Sequence, residues 1–528
     1  MLLRLCVLAI TFCESSIVGP CPVCECGIGA ARAPCAPGNE LCGPQFGRNS
    51  AQFHVRDESC QENDPNFPFF DAANGRYHLM WQSHLAEPHA SGVGKGPVIG
   101  HAVSADLVLW ERQPIALWND QQFDSVAVFT GSATMVDGSP VLVYPGICSE
   151  VDYPACAGYN IVLALAVPEN RSDARLTRWK KTGVIVNNTQ RDPSSAWRAG
   201  SEWRFTNYDG DVFSSIDFAV WRLAGHLFQE GECPDFYQIP PFCDGEGCAG
   251  PAPPGPPPTH VHKISNGGQD FYFLGQYLNG SAGSTGAWVP SPSAPSKGQP
   301  LDGSGIAYVG KPHTGPYYAS KSFFDDAHGR RITWAWGGQS QSLPRVTTYH
   351  AALQMLIFSP LPELAKLRVQ PPLFEQSTVT IDAGSHLWLS TGWPAGAGNT
   401  SEFGATFILP AERAVFGVSV GADNADGTGN AFPITVVWDP MTRTANVTTR
   451  NPPDAFAPLP ILATETSIEL RVFFDNTVFE AFFAGGRRAF THVVPAVNAS
   501  SVSGVFLFAN VSVRAVNVTA WAMASAWL

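Results

Sequence analysis

Charge is scarce in this chain. Asp, Glu, Lys and Arg make up only 15% of its 528 residues, and acids outnumber bases 45 to 32, for a formal net charge of −13. No basic run stands out, which argues against a nucleic-acid partner or an anionic membrane surface. So sparsely charged a surface must rely on neutral polar groups or on attached glycans. Long apolar runs are missing as well. After the first 13 residues no stretch approaches the ~20 apolar residues of a spanning helix, and the tail Trp521–Leu528 is too short for a lipid-anchor signal. We therefore expect no membrane insertion. A strict internal period is absent too, so any repetition must be spatial.

What is present points to export. Arg4 precedes an apolar run within Met1–Cys13 that is too short to cross a bilayer, the pattern of a secretory signal peptide. We assign residues 1–19 to it and expect a secreted, extracellular or cell-wall protein. Asn-x-Ser/Thr sequons at Asn170, Asn187, Asn279, Asn399, Asn446, Asn498, Asn510 and Asn517 suggest glycosylation on that route. Of 13 cysteines, Cys6 and Cys13 fall in the signal. Six of the remaining eleven lie between Cys21 and Cys60 and can pair in more ways than sequence resolves. Cys21-x-x-Cys24-x-Cys26 could hold zinc, but disulfides are the better reading in an oxidising compartment. Cys148 and Cys156 bracket one loop and Cys243 and Cys248 another, which leaves Cys233 odd.

Gly 50, Pro 44 and Trp 15 imply many turns and short strands rather than long helices. Residues 20–60 form a Cys-, Gly- and Pro-rich leader. From there to 372, apolar runs such as Tyr77–Gln82, Ile161–Leu165, Phe271–Leu274 and Arg331–Trp336 recur between Gly, Pro, Asn and Asp. Regular short strands over such a length predict a closed radial array, a β-propeller. The Pro-rich Ala249–Pro258 reads as an extended surface insertion. Residues 373–528 change character: Ser467–Phe473 alternates, turns at Asp475-Asn476 and returns through Val478–Phe482, a hairpin with one buried face. Several such strands predict a β-sandwich. The expected fold is all-β.

Three acidic motifs stand out. Glu62-Asn63-Asp64-Pro65-Asn66 places a carboxylate before a proline that lacks a donor, so Asp64 belongs at a strand edge or turn and not mid-ladder. Arg191-Asp192-Pro193 is the second, and Glu232-Cys233-Pro234-Asp235 the third. Each alone is a common turn or salt-bridge string. In this order, on a propeller background, they are specific. The chain resembles glycoside hydrolase family 32, the invertases and fructan hydrolases. That family's Trp-Met-Asn-Asp-Pro-Asn-Gly corresponds to Gln61–Phe67, its Phe-Arg-Asp-Pro to Gln190–Pro193, and its Glu-Cys-Pro-Asp is intact at Glu232–Asp235. Gly100–Ser104 with Asp106–Trp110, Phe129–Thr134, Tyr318–Asp325 and the Glu469–Gly486 hairpin add to the likeness, which covers about residues 60 to 515.

The resemblance implies a five-bladed propeller followed by a β-sandwich, with Asp64 as nucleophile, Glu232 as acid/base, and Asp192 with Arg191 holding a fructosyl ring. Asn63, Gln82, Phe129 and Ser132 are secondary candidates for that ring. Sucrose or fructan is the implied substrate, with no cofactor and no metal; His78 and His101 lack ligand spacing. The chemistry fits. Retaining hydrolysis uses one ionised and one protonated carboxyl about 5–5.5 Å apart. We expect Asp64 to stay ionised among hydrogen-bond donors and Glu232 to be raised by burial and by Asp64, with a mildly acidic optimum. A ketose has no hydroxyl on its anomeric carbon, so transition-state hydrogen bonds move to the 3- and 4-hydroxyls. A carboxylate that only binds, Asp192, suits them. Cys233 is expected as a small buried neighbour of the acid/base.

Departures from the family pattern matter. Gln61 and Phe67 replace Trp and Gly, an expected change to the pocket floor. The family's Gln-x-Asn-Pro becomes Gln82-Ser83-His84-Leu85. His313 stands where plant-like members carry an Asp that helps bind the glucose of sucrose, which leaves fructan an equal candidate. Rival readings are a fructosyltransferase on the same scaffold and a non-catalytic carbohydrate-binding glycoprotein. A cell-surface structural glycoprotein would explain the leader and the Pro-rich loop but not the three acids.

Overall fold

The computed structural model describes residues 51–57, 62–84, 96–243, 256–280, 284–292, 295, 297–306, 317–338, 340–394, 396–422, 431–449, 456–494 and 504–528. The expected signal segment, most of the expected leader, most of the Pro-rich stretch, Gln61, Cys248 and His313 lie outside the described residues. Five antiparallel sheets follow one another along the chain, and each is built from consecutive strands. Their first long strands are Glu62–Asp71, Ser132–Val136, Trp197–Ala199, Glu232–Gln238 and Tyr318–Asp325. These are five propeller blades. Two six-stranded sheets follow from Phe374 and stack as a β-sandwich.

Turn chemistry sets the blades. Asp137 and Gly138 both have positive φ, 49° and 76°, and join Val136 to Ser139 in the two-residue turn whose twist matches paired strands. The Asp71 carboxylate accepts from Ala73 N and Asn74 Nδ2 and ends the first strand; Arg171 of the second blade donates to both its oxygens at 2.8 and 2.9 Å.

Aromatic layers fill the space between neighbouring blades. Phe69, Met80, Tyr144 and Trp179 pack between the first and second, and Val143, Leu163, Phe205 and Trp221 between the second and third. Phe228, Phe236 and Tyr277 join the third to the fourth, and Tyr237, Tyr272, Tyr349 and Phe358 the fourth to the fifth. Trp81, Trp110, Phe323 and Trp334 close the ring, and there Phe473 and Phe482 of the sandwich join them. Fully burying one such side chain contributes roughly 1.5–3 kcal/mol.

A buried ionic cluster joins propeller and sandwich. Arg345 of the fifth blade donates to Glu480 Oε2 at 2.5 and 3.1 Å, to Asp302 at 2.9 Å and to Thr491 at 2.6 Å. Glu480 also receives Leu343 N and the His54 ring. Asp475, on the adjacent turn, accepts the backbone N–H groups of Gln52, Phe53 and His54 and a ring N–H of His54. The C-terminal Ala526 donates to Gln52 O and accepts from Trp110 N, so both ends of the described chain meet on the first blade.

Burial alone would lower the His54 pKa, but Asp475 and Glu480 outweigh it and raise it to about 9. A raised histidine stabilises the fold fully below its unfolded pKa of ~6.5 and loses that contribution as pH climbs through 9. The thermal midpoint should therefore fall between pH 6.5 and 9. His54→Gln should be less stable than wild type at pH 6 and should lose much of that decline, as calorimetry across the range will read.

Candidate active site

The acidic motifs fall where the first strands of their blades leave regular pairing. In the first strand, register is interrupted between Glu62 and Pro65, so Asn63 and Asp64 bulge out of the ladder. The same interruption occurs between Glu232 and Asp235 and between Tyr318 and Lys321. Bulges re-aim side chains, and here they turn Asp64, Glu232 and Tyr318 toward one space. Asp192 lies just ahead of the third blade, with φ 62°.

These residues line an open cavity of about 210 Å³ bounded by Asn63, Asp64, Gln82, Phe129, Arg191, Asp192, Glu232, Tyr318 and Trp336. Seven of the eight residues singled out in the sequence meet there. Ser132 does not: its hydroxyl is buried, donates to Pro193 O at 2.8 Å and accepts from Lys321 at 3.0 Å.

Asp64 is held by a chain of donors. Thr130 Oγ1 donates to its Oδ2 at 2.5 Å, and Gln82 Nε2 donates in turn to Thr130 at 2.6 Å. The Cys233 thiol approaches the same oxygen at 3.4 Å. Gly131 N donates to Asn66 Oδ1 at 2.7 Å, and any Cβ at Gly131 would strike Val143 O and the Phe67 ring, so only glycine lets the Thr130 segment come this close. Burial pushes the Asp64 carboxyl up to about 6; the Thr130 hydrogen bond opposes this, while Asp192 and Glu232 add like-charge repulsion.

Asp192 is buried and accepts from Cys233 N at 3.0 Å and from Arg191 Nε at 3.3 Å. Arg191 also donates to Glu232 Oε1, and Tyr318 OH donates to Glu232 Oε2. The Glu232 side chain is 33% exposed and open to the cavity. Burial works against the Arg191 charge, but Asp192 and Glu232 hold it firmly protonated. The expectation that hydrogen-bond donors would keep Asp64 an ordinary ionised carboxylate is thus corrected: burial outweighs the Thr130 and Cys233 contacts, while the Glu232 side chain faces the cavity.

Phe67 departs from expectation too. It takes φ 47°, a glycine-like conformation at the position where the motif carries glycine, and its ring is fully buried between the first two blades. It does not floor the cavity. Cys233 is free and buried, and burial with the nearby Asp64 and Asp192 charges pushes its thiol well up, which suits a neutral neighbour. His78 and His101 stack in the core and bond to each other at 3.0 Å, and burial pushes both down. Among the described residues no three His, Cys, Asp or Glu side chains form a metal-ligating group.

Cys148 and Cys156 are joined, and Cys243 is also disulfide-bonded. Asn399 is a correction: it is 4% exposed, so its side-chain amide has no room for a glycan in the folded chain. Thr130, Tyr318 and Trp336 are site residues that were not singled out. Thr130 and Tyr318 sit inside stretches already marked, Phe129–Thr134 and Tyr318–Asp325, and Trp336 ends a marked strand.

Models of the glycosyl hydrolases family 32 N-terminal and C-terminal domains match residues 54–357 and 363–522. The chain belongs to that family. It is a glycosidase by membership. It is 29% identical over 558 residues to acid beta-fructofuranosidase 4, vacuolar, from Arabidopsis thaliana, covering 90% of this chain and 79% of that one. It is 30% identical over 362 residues to fructan 6-exohydrolase from Beta vulgaris, covering 60% and 55%. In fold it is similar to the crystal structure of fructan 1-exohydrolase IIa from Cichorium intybus, with TM-score 0.71 and 24% identity over 91% of this chain and 98% of that one.

A carboxyl raised in the folded state destabilises the fold once pH exceeds its unfolded value, and that cost is complete above pH 6. The isosteric Asp64→Asn relieves it. The variant should melt at or above the wild-type temperature at pH 7.5 and gain nothing at pH 4, as parallel thermal scans will show.

Proposed function

We propose that this glycosidase releases fructose from sucrose or fructans by retaining double displacement, with the propeller (61–372) carrying the site and the sandwich (373–528) supporting it. The observation that carries the reading is the convergence of Asp64, Asp192 and Glu232 on one cavity, with Arg191 bridging the last two. Asp64 attacks the anomeric carbon as the ionised carboxylate, oriented by Thr130. Glu232 gives its proton to the leaving oxygen and then, as base, activates the water that breaks the fructosyl-enzyme bond. Its two oxygens are oriented by Arg191 and Tyr318. Asp192, bound to backbone N–H and to Arg191, is fixed as a hydrogen-bond acceptor for ring hydroxyls. Asn63, Gln82, Phe129 and Trp336 complete the wall.

Relatives named as beta-fructofuranosidases and as a fructan exohydrolase support both substrate classes. We further propose passage through the secretory pathway. The exposed sequons at Asn170, Asn187, Asn279, Asn510 and Asn517, the Cys148–Cys156 bridge and relatives described as vacuolar or insoluble isoenzymes all favour it.

A timed product profile on sucrose, a short inulin-type oligomer and levan, beside Asp64→Asn, tests the reading. Fructose should appear from at least one substrate and not from the variant. Longer oligomers as main product would make the enzyme a transferase, and equal silence of both proteins would sink the catalytic assignment.

The pH profile supplies a second test. Because Asp64 attacks as the anion, kcat/KM should fall as pH drops through about 6. Thr130→Val removes the hydrogen bond that favours the anion. It should move that acid limb upward by roughly one unit while leaving the alkaline side in place.

A further inference from the structure

Two lysines are buried against the turns that follow the site carboxylates. Lys321 lies on the first strand of the fifth blade and Lys263 on the second strand of the fourth, His260–Asn266; each is 2% exposed. Lys321 Nζ donates to Ser132 Oγ at 3.0 Å, Pro234 O at 3.1 Å and Pro193 O at 3.3 Å. Lys263 Nζ donates to Ser320 O at 2.7 Å, Ser265 Oγ at 2.8 Å and Cys233 O at 3.1 Å, with Asp270 at 3.2 Å. An ammonium has three N–H bonds, so both are fully engaged.

The acceptors share a location. Pro193 follows Asp192, Cys233 and Pro234 follow Glu232, and Ser320 follows Tyr318-Ala319. Asp192, Cys233 and Ala319 take left-handed φ values of 62°, 48° and 56°. For Asp192 and Cys233 the next residue is proline, which disfavours compact backbone conformations at the preceding position. Register breaks at two of these sites, so the ladder does not fix them. Strained residues of this kind persist only where the surroundings over-determine them, and the ammonium contacts do that on the side away from the cavity. A buried charge is an expensive way to fill a space that an apolar side chain could fill.

We propose that Lys321 is a positioning residue for the reaction: its ammonium gathers the turns after Asp192 and Glu232 and so sets where those two carboxylates stand relative to Asp64. Lys263 holds the Glu232 and Tyr318 turns from the other side. The inference rests on the roles proposed above for these residues.

Two variants test it. Lys321→Arg keeps the charge, but its planar guanidinium cannot converge three N–H bonds on these acceptors. It should lower kcat about 10²-fold, the scale expected of a small misplacement, with KM changed by less than about threefold, in protein that circular dichroism shows to be folded. Its crystal structure should show the Asp192 and Glu232 carboxylates displaced from their wild-type places. Lys321→Met should do the same or more. Wild-type kcat per folded molecule in Lys321→Arg, with the carboxylates unmoved, overturns the proposal even if Lys321→Met fails to fold. If the wild-type protein releases no fructose, the functional reading falls by itself. The crystallographic comparison then decides positioning, with displaced carboxylates supporting it and unmoved ones refuting it.

Discussion

Carboxylate repulsion is the constraint around which this site is built. Asp64, Asp192 and Glu232 face one cavity, and a single guanidinium, that of Arg191, meets two of them. Left to local preference, the three would separate and seek water. They are held together by backbone that is itself unfavourable, since non-glycine residues in the left-handed region cost of order 1–3 kcal/mol each. Phe67, Asp192, Cys233 and Ala319 all lie there. The aromatic layers between blades keep such turns from relaxing, because a blade cannot shift without opening a packed seam on both sides.

That arrangement explains which acid carries the burden of enclosure. The Asp64 carboxylate is covered by the Thr130 hydroxyl and the Cys233 thiol, whereas Glu232 reaches the mouth. On the roles proposed for them, a nucleophile covered by Thr130 and Cys233 loses solvation that would blunt it, and an acid/base facing the cavity can exchange its proton and meet water. The two duties differ in their need for water, and the bulges deliver the two side chains to different depths.

Much of this was legible in the sequence. Pro65, Pro193 and Pro234 mark the places where a ladder must break, and each flanks or follows an acid. Short apolar runs between Gly, Pro, Asn and Asp pointed to blades, and the alternating hairpin that turns at Asp475-Asn476 pointed to a sandwich. What could not be read was depth. Ser132 and Thr130 are two residues apart on one segment, yet Thr130 touches Asp64 and Ser132 touches Pro193, and only the packing of Gly131 against Phe67 and Val143 decides which. Phe67 misled for a related reason: its backbone does what glycine does, while its ring points into the core. The Asn399 sequon reads like the others, and only the fold buries it.

The contacts of residues 52–54 with Asp475, and of Ala526 with Gln52 and Trp110, bear on how the molecule comes into being. During synthesis residues 52–54 emerge ahead of the first blade with N–H groups whose partner, Asp475, lies more than four hundred residues further along. Until the sandwich is made, those N–H groups and the His54 ring must be answered by water or by a chaperone. The ring of blades can begin packing early, but its seam between fifth and first is finished by Phe473 and Phe482. Completion of the propeller thus depends on the sandwich, and such dependence on distant contacts belongs to the slow and aggregation-exposed regime of folding.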